Sequence, residues 1–170
     1  CATFWWMYVA MTTYAGLPSA IAALAIFSLA AVLSLYYALA AAAFVALQPR
    51  SAWGAATLFA ALWLSAELAR GVWFTGFGWG AAGYAHIDGL ARSARFVGAY
   101  GVAFLVALIA AMVAFWLVGR KPHQRLWMPL AAAALAATMA WTPSSHTAAV
   151  GKLTVALLQG NIGQDVKFQP

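Results

Sequence analysis

Residues 20–47 read AIAALAIFSLAAVLSLYYALAAAAFVAL, 28 positions without a charge. At 1.5 Å per residue such a helix measures about 42 Å, against a bilayer hydrocarbon core of about 30 Å. The stretch is expected to be a transmembrane helix that tilts or protrudes. Gly16-Leu17-Pro18-Ser19 breaks the chain before it, and Ser19 is placed to cap it. Upstream, Cys1 to Tyr14 is apolar but short, so residues 1–15 read as the last part of an earlier span. Its Trp5, Trp6, Tyr8 and Tyr14 suit a membrane interface.

Working toward the C-terminus, Gln48-Pro49-Arg50 is a polar turn carrying the first charge of the chain. Ala52 to Arg70 is the next expected helix. The following segment, GVWFTGFGWGAAGYAHIDG (71–89), has five glycines between Gly71 and Gly83, which disfavours a regular helix. It is apolar enough to stay at the membrane surface, where irregular backbone must be covered by protein or face a wet cavity. Phe96 to Val118 is another span, ended by Gly119-Arg120-Lys121-Pro122-His123-Gln124-Arg125. A shorter span runs from about Leu126 to Trp141, with Pro129 tolerated in its first turn. The expected fold is therefore an all-α polytopic membrane protein, with about four transmembrane helices and the remainder of an earlier one.

The C-terminal segment differs. Residues 143–151 form a polar linker. Then 152–158, KLTVALL, is β-branched, too short to span, and followed by Gln-Gly-Asn. It reads as a buried strand feeding a turn, with its partners in sequence outside this chain. The chain does not begin with Met, and it reads as a piece of a longer protein.

Composition agrees. The 170 residues are 66% hydrophobic and 7% charged, against about 25% charged in soluble domains. So few charges do not cover the surface of a soluble enzyme. The net charge of +6 is spread thinly and forms no basic stripe for nucleic acid. If the Arg50 turn and the 120–125 loop share a side, that side holds Arg50, Arg120, Lys121 and Arg125. The other holds Arg70, Arg92 and Arg95, with Glu67 and Asp88 nearby. The positive-inside rule then puts the 71–95 loop and the C-terminal segment outside the cytoplasm.

Candidate chemistry is sparse. Cys1 is the one cysteine, and His86, His123 and His146 lie far apart in connecting segments, so a metal site is not expected. No cofactor motif is evident. Cys1, Glu67 and a lysine do not make a catalytic set, because Cys1 sits in an apolar stretch unsuited to a thiolate. Glu67 and Arg70, three apart on one helix face, are expected to pair with each other and to hold the loop. Ionisable groups near a membrane also mark functional cavities. Trp73, Phe74, Phe77, Trp79 and Tyr84 either form an interface belt or line a lipid-entry groove.

These residues carry a resemblance. Glu67-Leu68-Ala69-Arg70-Gly71, Phe74-Thr75-Gly76-Phe77-Gly78-Trp79, Gly83-Tyr84 and Ile87-Asp88-Gly89 resemble bacterial apolipoprotein N-acyltransferases. So do Trp6-Met7-Tyr8-Val9 with Gly16-Leu17-Pro18, and Val155 to Ile162 followed by Gln164, Lys167 and Phe168. The resemblance implies a bacterial inner-membrane enzyme whose phospholipid donor gives an acyl chain to the amine of a diacylglyceryl-cysteine on an apolipoprotein. It implies a periplasmic nitrilase-like α/β domain whose first strand begins in residues 152–170. It also implies a Glu-Lys-Cys triad in that domain, beyond Pro170, so no catalytic residue is expected in this chain and the chain alone is expected to be inactive. Trp79, Tyr84 and Phe168 become substrate-groove candidates, with Glu67 and Arg70 as loop-structuring residues. The sequence departs from the family at Gly78, where Pro is usual, and at Phe168, where Trp is common.

Two other classes compete. A transporter or channel fragment usually carries ionisable or broken-helix sites near the midplane, and three of the expected spans have no charge. A non-catalytic membrane scaffold needs no strand after its last span.

Overall fold

A computed structural model describes residues 2–47, 49–86, 89–118, 122–141 and 151–157 of the chain. Two compact units are distinguished, residues 1–30 with 145–170, and residues 31–144.

In the first unit, α1 (Trp5–Val9) runs into a π-helical stretch, Ala10–Tyr14. Trp5 stacks on Tyr8 with ring centroids 5.0 Å apart. The Thr12 hydroxyl donates to the Tyr8 carbonyl at 2.9 Å, satisfying a polar group inside an apolar stretch. Gly16, at φ +64°, follows the end of this helical stretch, a backbone conformation open to glycine. α2 (Ser19–Leu47) begins one residue earlier than the apolar run suggests. Ser19 is its first helical residue rather than its cap. The Pro18 carbonyl takes the terminal N–H groups of Ile21 and Ala22, at 3.0 and 3.1 Å.

The second unit contains the rest of α2, then α3 (Ala52–Val72), α4 (Ala94–Val118) and α5 (Pro122–Trp141). α3 is capped by Ser51, whose hydroxyl accepts from the Gly54 N–H at 3.0 Å. It continues two residues past Arg70, because Gly71 is needed inside the helix. The Tyr100 hydroxyl of α4 packs there, and a Cβ on Gly71 would lie 2.6 Å from it. That close approach outweighs the helix cost of glycine, about 1 kcal/mol.

The expected span from Phe96 is corrected in detail. α4 starts at Ala94 but is broken at Gly98 (φ 68°, ψ 175°), so its continuous part follows the glycine. α5 also starts earlier than expected, at Pro122. Proline suits a first helical position, where its missing N–H would have no partner anyway. Pro129 consequently lies inside the helix, not in its first turn, and removes one i→i−4 bond. His123 belongs to this helix rather than to a connecting segment. His146 lies outside the described residues.

α2, α3 and α4 are each long and apolar enough to cross a bilayer, and Leu126–Trp141 adds a shorter apolar helix. Large apolar side chains stay exposed along them, among them Leu24, Phe27, Leu39 and Leu117. That surface is stable in lipid and not in water.

Small residues draw α3, α4 and α5 together. Ala56, Ala111, Met112, Met128 and Ala132 form the buried cluster, with Phe59, Leu108 and Phe115 packed around it. Alanines let helix backbones approach closely where lipid tails supply no hydrophobic drive. α2 meets α3 differently, through aromatic pairs: Tyr37 with Trp63 at 4.8 Å and Phe44 with Phe59 at 5.9 Å between centroids.

Residues 151–157 have no regular secondary structure, with Leu153 and Leu157 exposed. A strand exists only through its ladder, and no partner strand lies among the described residues. Leu158 and the rest of the expected α/β start, like most of the 143–151 linker, lie outside the described residues.

Candidate functional site

The segment between α3 and α4 forms a cap of short 3-10 turns at Trp73–Thr75, Ala82–His86 and Leu90–Ser93. Two side chains of α3 hold it. Glu67 and Arg70 are almost fully buried, with 1% and 4% of their surface exposed. Glu67 Oε1 accepts from the Ala82 backbone N–H at 2.8 Å and from Trp63 Nε1 at 3.2 Å. Arg70 Nη1 donates to the Phe77 carbonyl at 2.9 Å and to the Trp79 carbonyl at 2.6 Å. The Phe77 N–H returns to the Arg70 carbonyl at 2.7 Å, closing the end of α3.

The expected ion pair is thereby corrected. Glu67 and Arg70 share a helix face but are not hydrogen-bonded to each other. Each bonds loop backbone instead, Glu67 also the Trp63 indole, and Glu67 Oε2, Arg70 Nε and Arg70 Nη2 have no hydrogen-bond partner. The physical reason is supply. The glycine-rich loop brings bare carbonyls and N–H groups that would be costly to leave unpaired. The guanidinium also lies over the Tyr37 ring, 5.9 Å from its centroid.

Glycines shape the cap where backbone meets backbone. A Cβ at Gly76 (φ +78°) would collide with the Gly71 carbonyl, and one at Gly83 with the Ala99 carbonyl of α4. Gly78 has open space around it. Phe74 is the unusual residue. It adopts φ 53°, ψ 48° and is 91% exposed. A bulky residue in the left-handed region is strained.

Trp79 and Tyr84 are both largely exposed and line one cavity of about 410 Å³ with Gly78, Gly80 and Tyr100. The structure thus brings two of the three groove candidates together. Phe168 lies outside the described residues. Tyr100 is the residue that sequence reasoning missed. Its signal is a phenol within an apolar helix, two residues after a glycine. The cavity wall is aromatic and glycine backbone, suited to an apolar ligand with a few polar atoms. Among the described residues no group of three His, Cys, Asp or Glu side chains is arranged for a metal ion.

Long apolar helices, an alanine seam and a clamped aromatic cap define a helical membrane protein with a candidate site between α3 and α4. Residues 1–112 match the apolipoprotein N-acyltransferase N-terminal domain, which covers α1 to α3, the cap and most of α4. The chain belongs to the apolipoprotein N-acyltransferase family. It is 45% identical over 99% of its length to the apolipoprotein N-acyltransferase of Verminephrobacter eiseniae, of which it covers 33%. Against those of Ralstonia nicotianae and Nitrosomonas europaea the identities are 42% and 37%, over 97% of this chain and 32% and 33% of theirs. The chain therefore spans about a third of the length of the curated relatives it matches. No solved structure matches it.

Proposed function

We infer that the chain is the membrane portion of an enzyme that moves an acyl chain from a phospholipid to the N-terminal amine of a diacylglyceryl-cysteine on apolipoproteins. The observation that carries this is the cap. Glu67 and Arg70 hold its backbone so that Trp79 and Tyr84 border one cavity with Tyr100, all within the residues that match the family domain. In this role Glu67 and Arg70 structure the loop. Trp79, Tyr84 and Tyr100 guide an apolar substrate, and Phe168 is a further substrate-contact candidate on the family resemblance alone.

The protein sits in the bacterial inner membrane, with the 71–95 loop and the C-terminal segment on the periplasmic side. The domain order is a helical part over 1–142, a linker over 143–151, and the start of a nitrilase-like domain over 152–170. Residues 153–158 gain their strand ladder from that domain. The bond-making residues, a Glu-Lys-Cys set, belong to the part of the relatives this chain does not match, so the 170-residue chain alone transfers nothing.

Reconstitution tests this reading. Whole protein in phospholipid vesicles with a diacylglyceryl-cysteine peptide should give N-acyl peptide by mass spectrometry, and the 170-residue chain should give none. Trp79→Ala or Tyr84→Ala in the whole protein should lower kcat/KM for the phospholipid about tenfold, as expected for losing one aromatic contact. N-acyl product from the chain alone, or full activity in both variants, would overturn it.

A further inference from the structure

The clamp that holds the cap has unused hydrogen-bonding capacity at its centre. Glu67 and Arg70 are almost fully buried, yet Glu67 Oε2, Arg70 Nε and Arg70 Nη2 meet no polypeptide partner. A bare charged atom in the interior is costly, and folded proteins pair such atoms with protein or with ordered water. Direct pairing of the two side chains is not open. Glu67 Oε1 is held by Trp63 Nε1 and the Ala82 N–H, and Arg70 Nη1 by the Phe77 and Trp79 carbonyls. Turning either side chain toward the other would release those bonds.

The free edges border common ground. Glu67 and Arg70 are neighbours on one face of α3, and both charges act on the phenol of Tyr37. The chemistry of the edges identifies the occupant. Nε and Nη2 form one side of the planar guanidinium, a fork of two donors, whereas an ionised carboxylate oxygen only accepts. Whatever lies between them must accept from Arg70 and donate to Glu67. An anion is repelled by Glu67, and a metal cation by Arg70. The three atoms are closed off from the surface, so a larger molecule has no entry. Water meets every condition. A buried water makes about three hydrogen bonds, and three free atoms are present here. At membrane depth, water is also an accepted companion of irregular backbone.

We propose that one ordered water is a structural part of the clamp, donating to Glu67 Oε2 and accepting from the Nε–Nη2 edge of Arg70. It joins two otherwise separate supports into one network. That network runs from the Trp63 indole through Glu67 and Arg70 to the Phe77 and Trp79 carbonyls. The site is distinct from the cavity at Trp79, Tyr84 and Tyr100, and it does not rest on the acyl-transfer reading.

The test is a crystal structure of the whole unsubstituted protein, at a resolution that shows ordered water. Expected is a single peak about 3 Å from Glu67 Oε2 and from both free Arg70 nitrogens. Infrared spectroscopy gives a second readout. The whole protein should show an O–H stretching band of bound water that shifts on transfer to heavy-oxygen water. Arg70→Lys replaces the two-donor fork by a single ammonium and should remove that band. Should Arg70→Lys fail to fold, the peak in the unsubstituted protein decides alone. A direct Glu67–Arg70 ion pair, a polypeptide or lipid atom in that place, no peak there, or a band unchanged in Arg70→Lys overturns the proposal.

Discussion

Arg70 and Trp79 are joined by a 2.6 Å hydrogen bond from the guanidinium Nη1 to the backbone carbonyl, and the same nitrogen also reaches Phe77. One side chain thus fixes both flanks of Gly78. Replacing Arg70 by Met leaves two carbonyls unpaired and Glu67 buried without a compensating cation. The expected loss is about 3–5 kcal/mol, the usual result of removing one partner of a buried charged set. Denaturant unfolding in detergent measures it. Hydrogen exchange should accelerate between Phe77 and Ala82 before the helices open.

Trp63 and Ala82 converge on one oxygen of Glu67. A double-mutant cycle with Trp63→Phe and Glu67→Gln should give a coupling of about 1–2 kcal/mol, within the range for hydrogen bonds to charged groups. Strict additivity of the two substitutions would show that the indole only packs.

Gly83 and Gly78 make a matched pair. Gly83→Ala drives a methyl into the Ala99 carbonyl, whereas Gly78→Ala meets nothing within 4 Å. The first should cost about 1–3 kcal/mol, as overpacking does, and the second less than about 0.5 kcal/mol. Paired melting curves decide it. Equal losses would mean that the cap does not seat on α4.

Phe74 holds a left-handed backbone while 91% exposed. Asparagine tolerates that conformation, so Phe74→Asn should gain about 1 kcal/mol in detergent by relieving strain. The same change should weaken partitioning of the cap into bilayer, read by the depth of Trp73 and Trp79 fluorescence quenching with brominated lipids. A gain in detergent without loss in bilayers would mean that the ring does not contact lipid.

The long helices were legible because apolar runs such as 20–47 exceed the bilayer in length, and few other folds bury them. Boundaries were less so. Pro122 looked like the end of a span yet opens α5, and Gly98 lay unremarked inside an apolar run yet breaks α4, because a proline's role depends on its place in the helix and a glycine's on the local backbone. Glu67 and Arg70 were visible as charges at helical spacing. Their true partners were not, since carbonyls seven and nine residues downstream return only once the loop has folded. Tyr100 was hidden for the same reason. Its neighbours Trp79 and Tyr84 meet it through a turn whose path depends on Gly83 lying against Ala99.

The clamp on the cap has a temporal consequence. Its four side-chain hydrogen bonds all join residues within 63–82, at separations of 4 to 15 positions. Short loops close fast and at small entropic cost. During synthesis the cap is therefore able to acquire its shape as soon as α3 and some ten residues beyond it have emerged, before α4 is complete. The later helix then docks against a finished surface, and Gly83 is where that surface is checked.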